Sequence, residues 1–279
     1  MSLVKTWFVT GTSSGFGRIL TEQLLERGDR VAATLRHPEA LDDLRAAGGD
    51  RLWVAGLDVT RPDDVLRVVD EAFTHFGEVD VIVNNAGYGL LSAIEEASRE
   101  QILRVLDVNL LGSVDVIRAA LPHLRAQGGG RILQVSSAGG QTAYPGFGFY
   151  HAAKWGIEAV CETLAAEVAQ FGIKVTIVEP GMTPTGFSAA KDAVEAMPEY
   201  DTGAFGEGRR ALATGRIRGQ NDPIAIVGAM IASADSAEAP LRLPLGADTY
   251  RDVRAAYISR LELLDASRDV ALSVTENSA

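Results

Sequence analysis

The chain has 279 residues, of which 47% are hydrophobic; this excludes a disordered chain and allows one large domain with a substantial core. Its 37 acidic and 26 basic residues give a formal net charge of −11, which argues against a surface for nucleic acid or anionic membrane. We therefore expect neither a nucleic acid nor a membrane among its partners.

The single cysteine and the four histidines exclude further classes of site. Cys161 cannot form a disulfide within the chain, which is typical of a reducing compartment, and we expect a cytoplasmic location. Its place on an apolar helical stripe favours a buried thiol over a nucleophile. The histidines are scattered along the chain, so we expect no metal site. No apolar run approaches the ~18–20 residues that span a bilayer.

The first predicted strand, Trp7–Thr10, ends in a glycine-rich turn. The sequence TGTSSGFG at 10–17 leads into a helical pattern over 16–27. Glycines there let the turn close tightly and let a pyrophosphate approach the backbone at a helix N-terminus. For this motif alone, a turn without a ligand is the alternative. The candidate dinucleotide-binding residues are Gly11, Ser13, Ser14, Gly15, Phe16 and Gly17.

Three more predicted strands follow, at Arg30–Leu35, Arg51–Gly56 and Val79–Asn84, with a predicted helix over 62–76. Polar or small residues come directly after the last two of these strands. In isolation each such group is most simply a strand-end turn. The residues are Asp58 and Val59 after one strand, and Asn85, Ala86 and Gly87 after the other.

The middle of the chain carries a tyrosine and a lysine four residues apart. A predicted long helix over 99–125 precedes the fifth strand, Arg131–Ser136, and a second helix is predicted over 151–171. In FYHAAKWG, the Tyr150 and Lys154 side chains lie on one helix face. Because an unperturbed tyrosine titrates near ~10, we expect the ammonium to lower the tyrosine pKa towards the range of a general acid or base. On this spacing alone, a surface pair is the alternative.

The last third of the chain is less regular. A strand over Lys174–Glu179 leads into PGMTPT at 180–185. Residues 183–222 lack a clear period, which predicts one or two short helices in a mobile substrate lid. An edge strand is predicted at Leu241–Leu245 despite Pro244, then a helix over 250–264 and a frayed tail over about 270–279.

Short apolar strands that alternate with helices predict the fold class. Continuous Val, Ile and Leu runs indicate strands buried on both faces, as in a parallel sheet. Right-handed crossovers then give an α/β, doubly wound, Rossmann-type sheet with helices on both faces. We expect residues 1–279 to form a single domain.

These motifs together resemble the compact branch of the short-chain dehydrogenase/reductase family. Ser137 precedes Tyr150 by thirteen residues, the usual gap in that family, and the match covers about residues 4–185. The signatures occur in the family's order. They are TGTSSGFG at 10–17, NNAG at 84–87, Asn109, Ser137, and YHAAK at 150–154, followed by PGMTPT.

The resemblance implies a catalytic role for four residues. Tyr150 is the general acid and base, and Lys154 lowers its pKa and holds the nicotinamide ribose. Ser137 donates a hydrogen bond to the substrate oxygen, and Asn109 links Lys154 through water to solvent. Taken singly, Ser137 could also be a turn residue that ends the strand, and Asn109 could mark a helix kink whose side chain bonds to its own backbone.

The resemblance also assigns the dinucleotide contacts. Asp58 is similar to the acidic residue that binds the adenine amino group, and Asn85–Gly87 to the turn beneath the adenine-side ribose. The segment after the sixth strand is similar to the one that holds the nicotinamide carboxamide. Its candidates are Pro180, Gly181, Thr183 and Thr185, which join Val59, Tyr150, Lys154 and the glycine-rich turn as cofactor-binding residues.

The end of the second strand indicates which cofactor binds. A carboxylate there binds the 2′-hydroxyl of NAD, whereas an arginine accommodates the 2′-phosphate of NADP. Leu35 stands where NAD-dependent relatives usually carry Asp, and Arg36 follows it. A guanidinium can pair with a phosphate through two hydrogen bonds, and Ser14 could add a hydroxyl. We expect NADP(H) to be preferred over NAD(H); use of either cofactor is the alternative.

The family resemblance implies a small-molecule ketone or alcohol as substrate. The residues expected near it are apolar or aromatic and favour a bulky apolar compound, although about half of them could simply be core. Arg209 and Arg210, near the lid, are interpreted as solvated surface charge; attraction of an acidic substrate is the alternative. The expected substrate-facing residues are Tyr88, Leu90, Tyr144, Phe147, Phe149, Met182, Phe187, Met197 and Phe205.

The same fold also allows functions other than hydride transfer, and its long helices favour an oligomer. A non-catalytic NADP-binding regulatory or scaffold protein could share the fold, and so could an epimerase or dehydratase. The two long helices, 99–125 and 151–171, carry apolar residues on more than one side. We therefore expect them to pair in a homodimer or homotetramer.

Overall fold

Seven parallel strands form one sheet in a computed structural model that describes residues 4–185 and 194–275. Their order is β3-β2-β1-β4-β5-β6-β7. The chain reverses direction across the sheet between β1 and β4, so a crevice opens there at the carboxyl ends of the strands. The strands are β1 (Thr6–Thr10), β2 (Arg30–Leu35), β3 (Leu52–Gly56), β4 (Val81–Asn84), β5 (Gly130–Val135), β6 (Ile173–Pro180) and β7 (Arg242–Leu245).

Helices connect the strands and cover both faces of the sheet. A π-helical turn at Asp107–Leu111 joins α4 to α5 without a break, and short 3-10 turns include Ala138–Gly140. The α-helices are α1 (Gly15–Arg27), α2 (Asp42–Gly48), α3 (Pro62–Phe76), α4 (Arg99–Leu106), α5 (Gly112–Ala126), α6 (Gly148–Val168), α7 (Gly203–Ala213), α8 (Pro223–Asp235), α9 (Ala247–Ala266) and α10 (Arg268–Ser273).

The helix ends follow from local sequence. Pro62 begins α3 with a fixed φ, and Asp63 and Asp64 place negative charge against the positive end of the helix dipole. Ser98 and Gln101 form a reciprocal capping box at the start of α4. Pro62 and the two aspartates explain why α3 begins at the predicted residue.

Two apolar cores lie on opposite faces of the sheet. One packs α3, α5 and α6 against the sheet, with Phe8, Ile82 and Ile157 among its buried residues. The other packs α1 and α8 against the opposite face, around Trp7 and Leu133. This is the predicted doubly wound architecture, with helices on both faces of the sheet.

The predicted strands are confirmed, with bounds that shift by at most two residues. The predicted edge strand is also present, because Arg242–Leu245 pairs in parallel with β6. Pro244 is tolerated there since an edge strand leaves one side unpaired. The helix predicted from 151 begins earlier, at Gly148, and the one predicted over 250–264 runs from Ala247 to Ala266.

Some elements were missed from sequence. Helix α8 is apolar around its circumference, so its segment shows no amphipathic stripe. Helix α2 was missed because it is only seven residues long. The irregular segment 183–222 contains α7, while residues 186–193 lie outside the described range. The tail is helical further than expected, since α10 extends to Ser273.

Candidate functional site

The glycine-rich turn after β1 opens the crevice. Gly11 has a φ of 72°, and an added Cβ would lie 2.8 Å from the Cα of Ala86. A Cβ on Gly17 would lie 2.4 Å from the carbonyl oxygen of Gly11. The chain therefore folds back on itself at a distance that only glycine allows. The result is a backbone cradle at the start of α1, with Ser13 and Ser14 exposed beside it.

The side chain of Asn85 braces this turn. Its Nδ2 donates to the carbonyl oxygens of Thr10 (2.9 Å) and Gly11 (3.0 Å). The hydroxyl of Thr10 in turn accepts from the backbone N–H groups of Asn85 and Ala86, each at 3.0 Å. Asn85 thus joins the ends of β1 and β4, a role that its position after β4 does not reveal.

A cavity of about 570 Å³ extends the crevice beyond β2 and β3. Partial burial raises the pKa of Asp58, but hydrogen bonds from Thr60 and the charge of Arg36 outweigh burial and leave it lowered. Arg36 is exposed, whereas Leu35 is buried in the core. The cavity is lined by Arg36, Asp58, Thr60, Arg99, Glu100, Leu103, Arg104, Asp107 and Val108.

Tyr150 and Lys154 lie at the opposite end of the crevice, on the first turns of α6. Both side chains are buried, with Tyr150 8% and Lys154 4% exposed. The Nζ of Lys154 donates to the carbonyl oxygen of Val135 at 2.9 Å and lies 5.7 Å from the centroid of the Tyr150 ring. Ser137, at the end of β5, hydrogen-bonds with Tyr150. The structure therefore brings these three predicted residues together.

The pKa of Tyr150 is raised in this arrangement, whereas the spacing of Tyr150 and Lys154 predicts a lowered value. Burial raises the pKa of Tyr150 to about 12, with a further rise from the charge of Glu158, and the hydrogen bond with Ser137 opposes the rise only in part. Burial also lowers the pKa of Lys154 to about 8. Burial disfavours the charged form of each group, and the ammonium is directed to the Val135 carbonyl.

Asn109 lies in the π-helical turn and is fully buried. Its Nδ2 donates to the carbonyl oxygens of Val105 (2.9 Å) and Tyr88 (3.0 Å), and its Oδ1 accepts from the N–H of Tyr88 (3.2 Å). The helix-kink interpretation explains only the Val105 contact. A Cβ on Gly87 would lie 2.6 Å from this Oδ1 and 3.7 Å from the Nζ of Lys154, so glycine leaves space between the two side chains.

The segment after β6 forms the wall that faces the glycine-rich turn. A Cβ on Gly15 would lie 3.0 Å from the carbonyl oxygen of Thr185. Asp248, in the first turn of α9, holds this segment by accepting the N–H of Met182 at 2.8 Å. The hydroxyl of Thr183 donates to the carbonyl of Gly181 at 2.9 Å. Sequence reasoning missed Asp248, which lies 66 residues further along the chain.

The predicted substrate-facing residues divide into several groups. Leu90 is core, and the hydroxyl of Tyr144 donates to Asp252 on α9 at 3.0 Å. The Phe147 ring lies 6.3 Å from the Tyr150 ring, edge to face. Phe205 on α7 lies against Gly146, close to the start of α6. Phe187 lies outside the described residues.

The interpretation of Arg209 as solvated charge is wrong. Its guanidinium forms a bidentate ion pair with Glu96, whose side chain is fully buried. Glu96 also accepts the N–H groups of Ala93 (2.6 Å) and Met197 (3.0 Å). This pair fastens the segment that carries α7 to the loop after β4. Arg210 remains at the surface, where it contacts Asp201 at 2.6 Å.

These adjacent arginines should differ in their effect on stability. Arg209→Met leaves the buried carboxylate of Glu96 without its cation, which should lower the free energy of unfolding by roughly 1–3 kcal/mol. Arg210→Met, the matched control, should change it by less than about 1 kcal/mol. Urea denaturation of the two variants measures the difference. Equal losses would show that the Glu96 pair does not anchor this segment.

A surface cavity of about 750 Å³ along α3 contains none of the predicted site residues. Cys161 is fully buried, as expected. In residues 4–185 and 194–275, no group of three or more histidine, cysteine or acidic side chains could hold a metal ion. No helix in those same ranges is long and apolar enough to cross a bilayer.

Comparison with known proteins identifies clear relatives. The family model described as short chain dehydrogenase matches residues 5–196. An oxidoreductase of Botryotinia fuckeliana is 38% identical over 250 residues, which cover 88% of this chain and 90% of that protein. A 3-ketodihydrosphingosine reductase of Bacteroides thetaiotaomicron is 38% identical over 187 residues, 67% of each chain.

Solved structures of short-chain dehydrogenases share the fold of this chain. The crystal structure of a short-chain dehydrogenase from Streptomyces avermitilis has a TM-score of 0.89 and 37% identity, covering 99% of this chain and 100% of that one. An alcohol dehydrogenase from Thermococcus sibiricus, complexed with 5-hydroxy-NADP, has a TM-score of 0.72 and 25% identity, covering 87% of this chain and 96% of that one. A short-chain dehydrogenase/reductase from Burkholderia phymatum, in complex with NAD, has a TM-score of 0.78 and 24% identity, covering 99% of this chain and 97% of that one. At this identity the likeness supports the fold alone.

Proposed function

The chain belongs to the short-chain dehydrogenase family, and on that premise we propose that it is an NADP(H)-dependent oxidoreductase that interconverts a ketone and a secondary alcohol. The observation that carries this proposal is the meeting of Ser137, Tyr150 and Lys154 at the carboxyl edge of the sheet. A hydroxyl, a phenol and a buried ammonium at one crevice supply the donors that a developing alkoxide needs.

The proposed reduction uses the two hydroxyls in different ways. Bound NADPH supplies the hydride, and the protein supplies orientation and the proton. Tyr150 donates its phenolic proton to the carbonyl oxygen, while the hydroxyl of Ser137 donates a hydrogen bond to the same oxygen. The raised pKa of Tyr150 keeps the phenol protonated at neutral pH, which suits the direction of reduction. In the reverse direction Tyr150 must first lose its proton, so oxidation should favour alkaline pH.

The remaining residues would support Tyr150. Lys154 is close enough to stabilise a phenolate once the proton has left, and we propose that it also holds the nicotinamide ribose. Asn109 is fixed beside Gly87, next to Lys154, and we propose that it binds the water through which Lys154 reaches solvent.

The crevice has the shape and donors that a dinucleotide requires. The glycine-only cradle at Gly11 and Gly17 allows a pyrophosphate to approach the N-terminus of α1. We propose that the adenine end occupies the cavity beside Asp58, Val59 and Arg36, and that the carboxamide contacts Thr183 or Thr185. Because Arg36 is exposed at this cavity and Leu35 is turned into the core, we propose NADP(H) as the preferred cofactor.

The proposed substrate is a bulky, apolar ketone or alcohol. Phe147 lies beside Tyr150, and α7 brings Phe205 against the loop before α6. The relative from Bacteroides thetaiotaomicron is named a 3-ketodihydrosphingosine reductase, which supports a keto compound as substrate.

A ketone panel followed by NADPH absorbance tests the proposal. The panel contains cyclohexanone, 2-decanone and trifluoroacetophenone, each offered with NADPH and with NADH. We expect at least one of the bulky members to be reduced faster with NADPH. Tight NADPH binding with no reduction would favour a non-catalytic nucleotide-binding protein. Substrate conversion without net change in NADPH would favour an epimerase or dehydratase.

We propose that the chain is a homodimer or homotetramer. Leu103, Leu111, Trp155 and Val160 are exposed on the continuous α4–α5 helix and on α6, the two helices whose apolar residues exceed what the sheet covers. Analytical ultracentrifugation at micromolar concentration should give a mass of two or four chains. A mass equal to the 29.6 kDa of one chain would contradict this prediction.

A further inference from the structure

A buried carboxylate, Glu158, lies one helical turn after Lys154 on α6. It is 2% exposed, and removal of a carboxylate from water is costly unless it is paired and hydrogen-bonded. The hydroxyl of Ser136 donates to its Oε1 at 2.5 Å, Gln141 donates to its Oε2, and the Nη1 of Arg242 lies 2.6 Å from its Oε2. A side chain held by three donors from three different segments is a fixed structural element.

Two of those donors flank Ser137. Ser136 precedes it directly, and Gln141 ends the 3-10 turn Ala138–Gly140 that Ser137 begins. Glu158 itself is on the helix that carries Tyr150 and Lys154. Its contacts therefore span the joint between the two segments that must place the Ser137 hydroxyl beside the Tyr150 phenol.

Helix α9 completes this network. The hydroxyl of Tyr257 on α9 donates to the Oε1 of Gln141 at 2.6 Å, which directs the Nε2 of Gln141 towards Glu158. Arg260 donates to the carbonyl oxygen of Gln141 at 2.5 Å. A segment more than a hundred residues away in sequence thus fixes the orientation of the turn that Ser137 begins.

We propose that Glu158 is a positioning residue for the hydride-transfer site, holding the Ser137 turn against α6 and supplying buried negative charge beside Lys154, with Tyr257 completing the network through Gln141. This inference deepens, and rests on, the proposed function. Glu158 acts through Ser137, Tyr150 and Lys154, and we assign it no contact with substrate.

The charges around Glu158 decide the sign of its effect. Glu158 faces titratable groups on four elements. They are Lys154 and Cys161 on α6, Glu179 on β6, Arg242 on β7 and Tyr257 on α9. Burial lowers the pKa of Lys154 and the charge of Glu158 raises it in part, while burial and then Glu158 raise the pKa of Tyr150. Removal of this charge should therefore lower both pKa values.

Glu158→Gln removes the charge and keeps the shape. The glutamine oxygen can accept from Gln141 and Arg242, and its amide can donate to the oxygen of Ser136. Arg242 retains Glu179 and Glu162. Glu162→Gln is the matched control, because Glu162 also pairs with Arg242 but is half exposed and two helical turns from Lys154.

The first arm of the test needs neither substrate nor turnover. The chain has four lysines, so 13C-lysine labelling with Lys154→Met for assignment allows NMR titration of the Lys154 ammonium. In Glu158→Gln its midpoint should fall by about two pH units, the order expected for one charge about 6 Å away at an effective dielectric of about 20. In Glu162→Gln it should move much less. Equal midpoints in the two variants would overturn the assignment of the charge.

The second arm follows ketone reduction with NADPH, using trifluoroacetophenone as probe. Reduction needs a protonated Tyr150 and a protonated Lys154, so the alkaline limb of kcat/KM should move to lower pH in Glu158→Gln and stay near the wild-type position in Glu162→Gln. An unmoved limb in Glu158→Gln overturns the role in the reaction. No reduction by the wild type of this probe or any ketone of the panel would instead contradict the proposed function, and the NMR arm would still decide whether Glu158 sets the charge at Lys154.

The positioning role has its own variants, which also serve if Glu158→Gln does not fold. Tyr257→Phe removes only the hydroxyl that orients Gln141. We expect roughly fivefold lower kcat, the value of one hydrogen bond, with an unchanged dissociation constant for NADPH. Tyr250→Phe, on the same helix and more exposed, should leave kcat unchanged. Equal kcat in the two phenylalanine variants would overturn the network that links α9 to Ser137.

Discussion

Tyr150→Phe should lower the rate of NADPH-dependent ketone reduction by roughly 10²–10⁴-fold, the contribution typical of a positioned general acid. The substitution keeps the buried ring and its edge-to-face contact with Phe147 and removes only the phenolic oxygen. Since Tyr150 is 8% exposed and packed within α6, the fold should be retained. The dissociation constant for NADPH, measured by fluorescence, should change little.

Tyr250→Phe provides the control for this experiment, since it makes the same chemical change on an exposed residue of α9. Its rate should equal that of the wild type. A Tyr150→Phe enzyme with more than about a tenth of wild-type turnover would exclude Tyr150 as the proton donor, because a lost general acid costs more than that.

Arg36→Asp should move the cofactor preference from NADPH towards NADH. A charge-assisted contact to the 2′-phosphate is worth about 1.5–3 kcal/mol, so its loss should weaken NADPH roughly ten- to a hundredfold. The new carboxylate repels the phosphate and can accept from a bare ribose hydroxyl. Arg36 is exposed at the cavity beside Asp58, so the free energy of unfolding should change little. The single variant is preferred, because Leu35→Asp would place a carboxylate in the core.

The ratio of kcat/KM for NADPH to that for NADH is the quantity to compare. Arg67→Asp makes the same change of charge on α3, outside the cavity that Arg36 and Asp58 line, and should leave the ratio unchanged. If Arg36→Asp also leaves it unchanged, the phosphate is held elsewhere. Ser14, His37 and the cavity-lining Arg99 would then be the residues to test.

Local signals were sufficient to predict much of the fold. Pro62 with its two aspartates fixes the start of α3, and the apolar strands identify the parallel sheet. Helix α8 could not be predicted in the same way, because its exposed face carries Ile224 and small residues instead of the polar residues from which amphipathic helices are identified.

The residues of the candidate site could be predicted from local motifs. The contacts that hold them could not be predicted where the partners are distant in sequence. Ser137, Tyr150 and Lys154 lie together, as the family resemblance implies. Glu158 was not singled out, although a carboxylate on the apolar stripe of α6 is a detectable signal, since buried acids are rare unless paired. Its partner Arg242 lies 84 residues further along the chain, and no local pattern connects them.

Charge states were the least predictable feature. The Tyr–Lys spacing indicates a lowered tyrosine pKa, but the sequence does not reveal how deeply the pair is buried. Desolvation opposes the charged form of both groups and reverses the expected direction for Tyr150. The same applies to Arg209, whose burial against Glu96 depends on how the segment that carries α7 folds over the loop after β4.

Deuteride transfer tests the central claim most directly. The wild-type enzyme is supplied with NADPH that carries deuterium at both positions of nicotinamide C4, together with the ketone that it reduces best. Mass spectrometry of the alcohol should show one deuterium per molecule, bound to the carbinol carbon, in amounts equal to the NADPH consumed. An alcohol without deuterium, or deuterated NADPH consumed with no alcohol formed, would contradict hydride transfer at the site of Ser137, Tyr150 and Lys154.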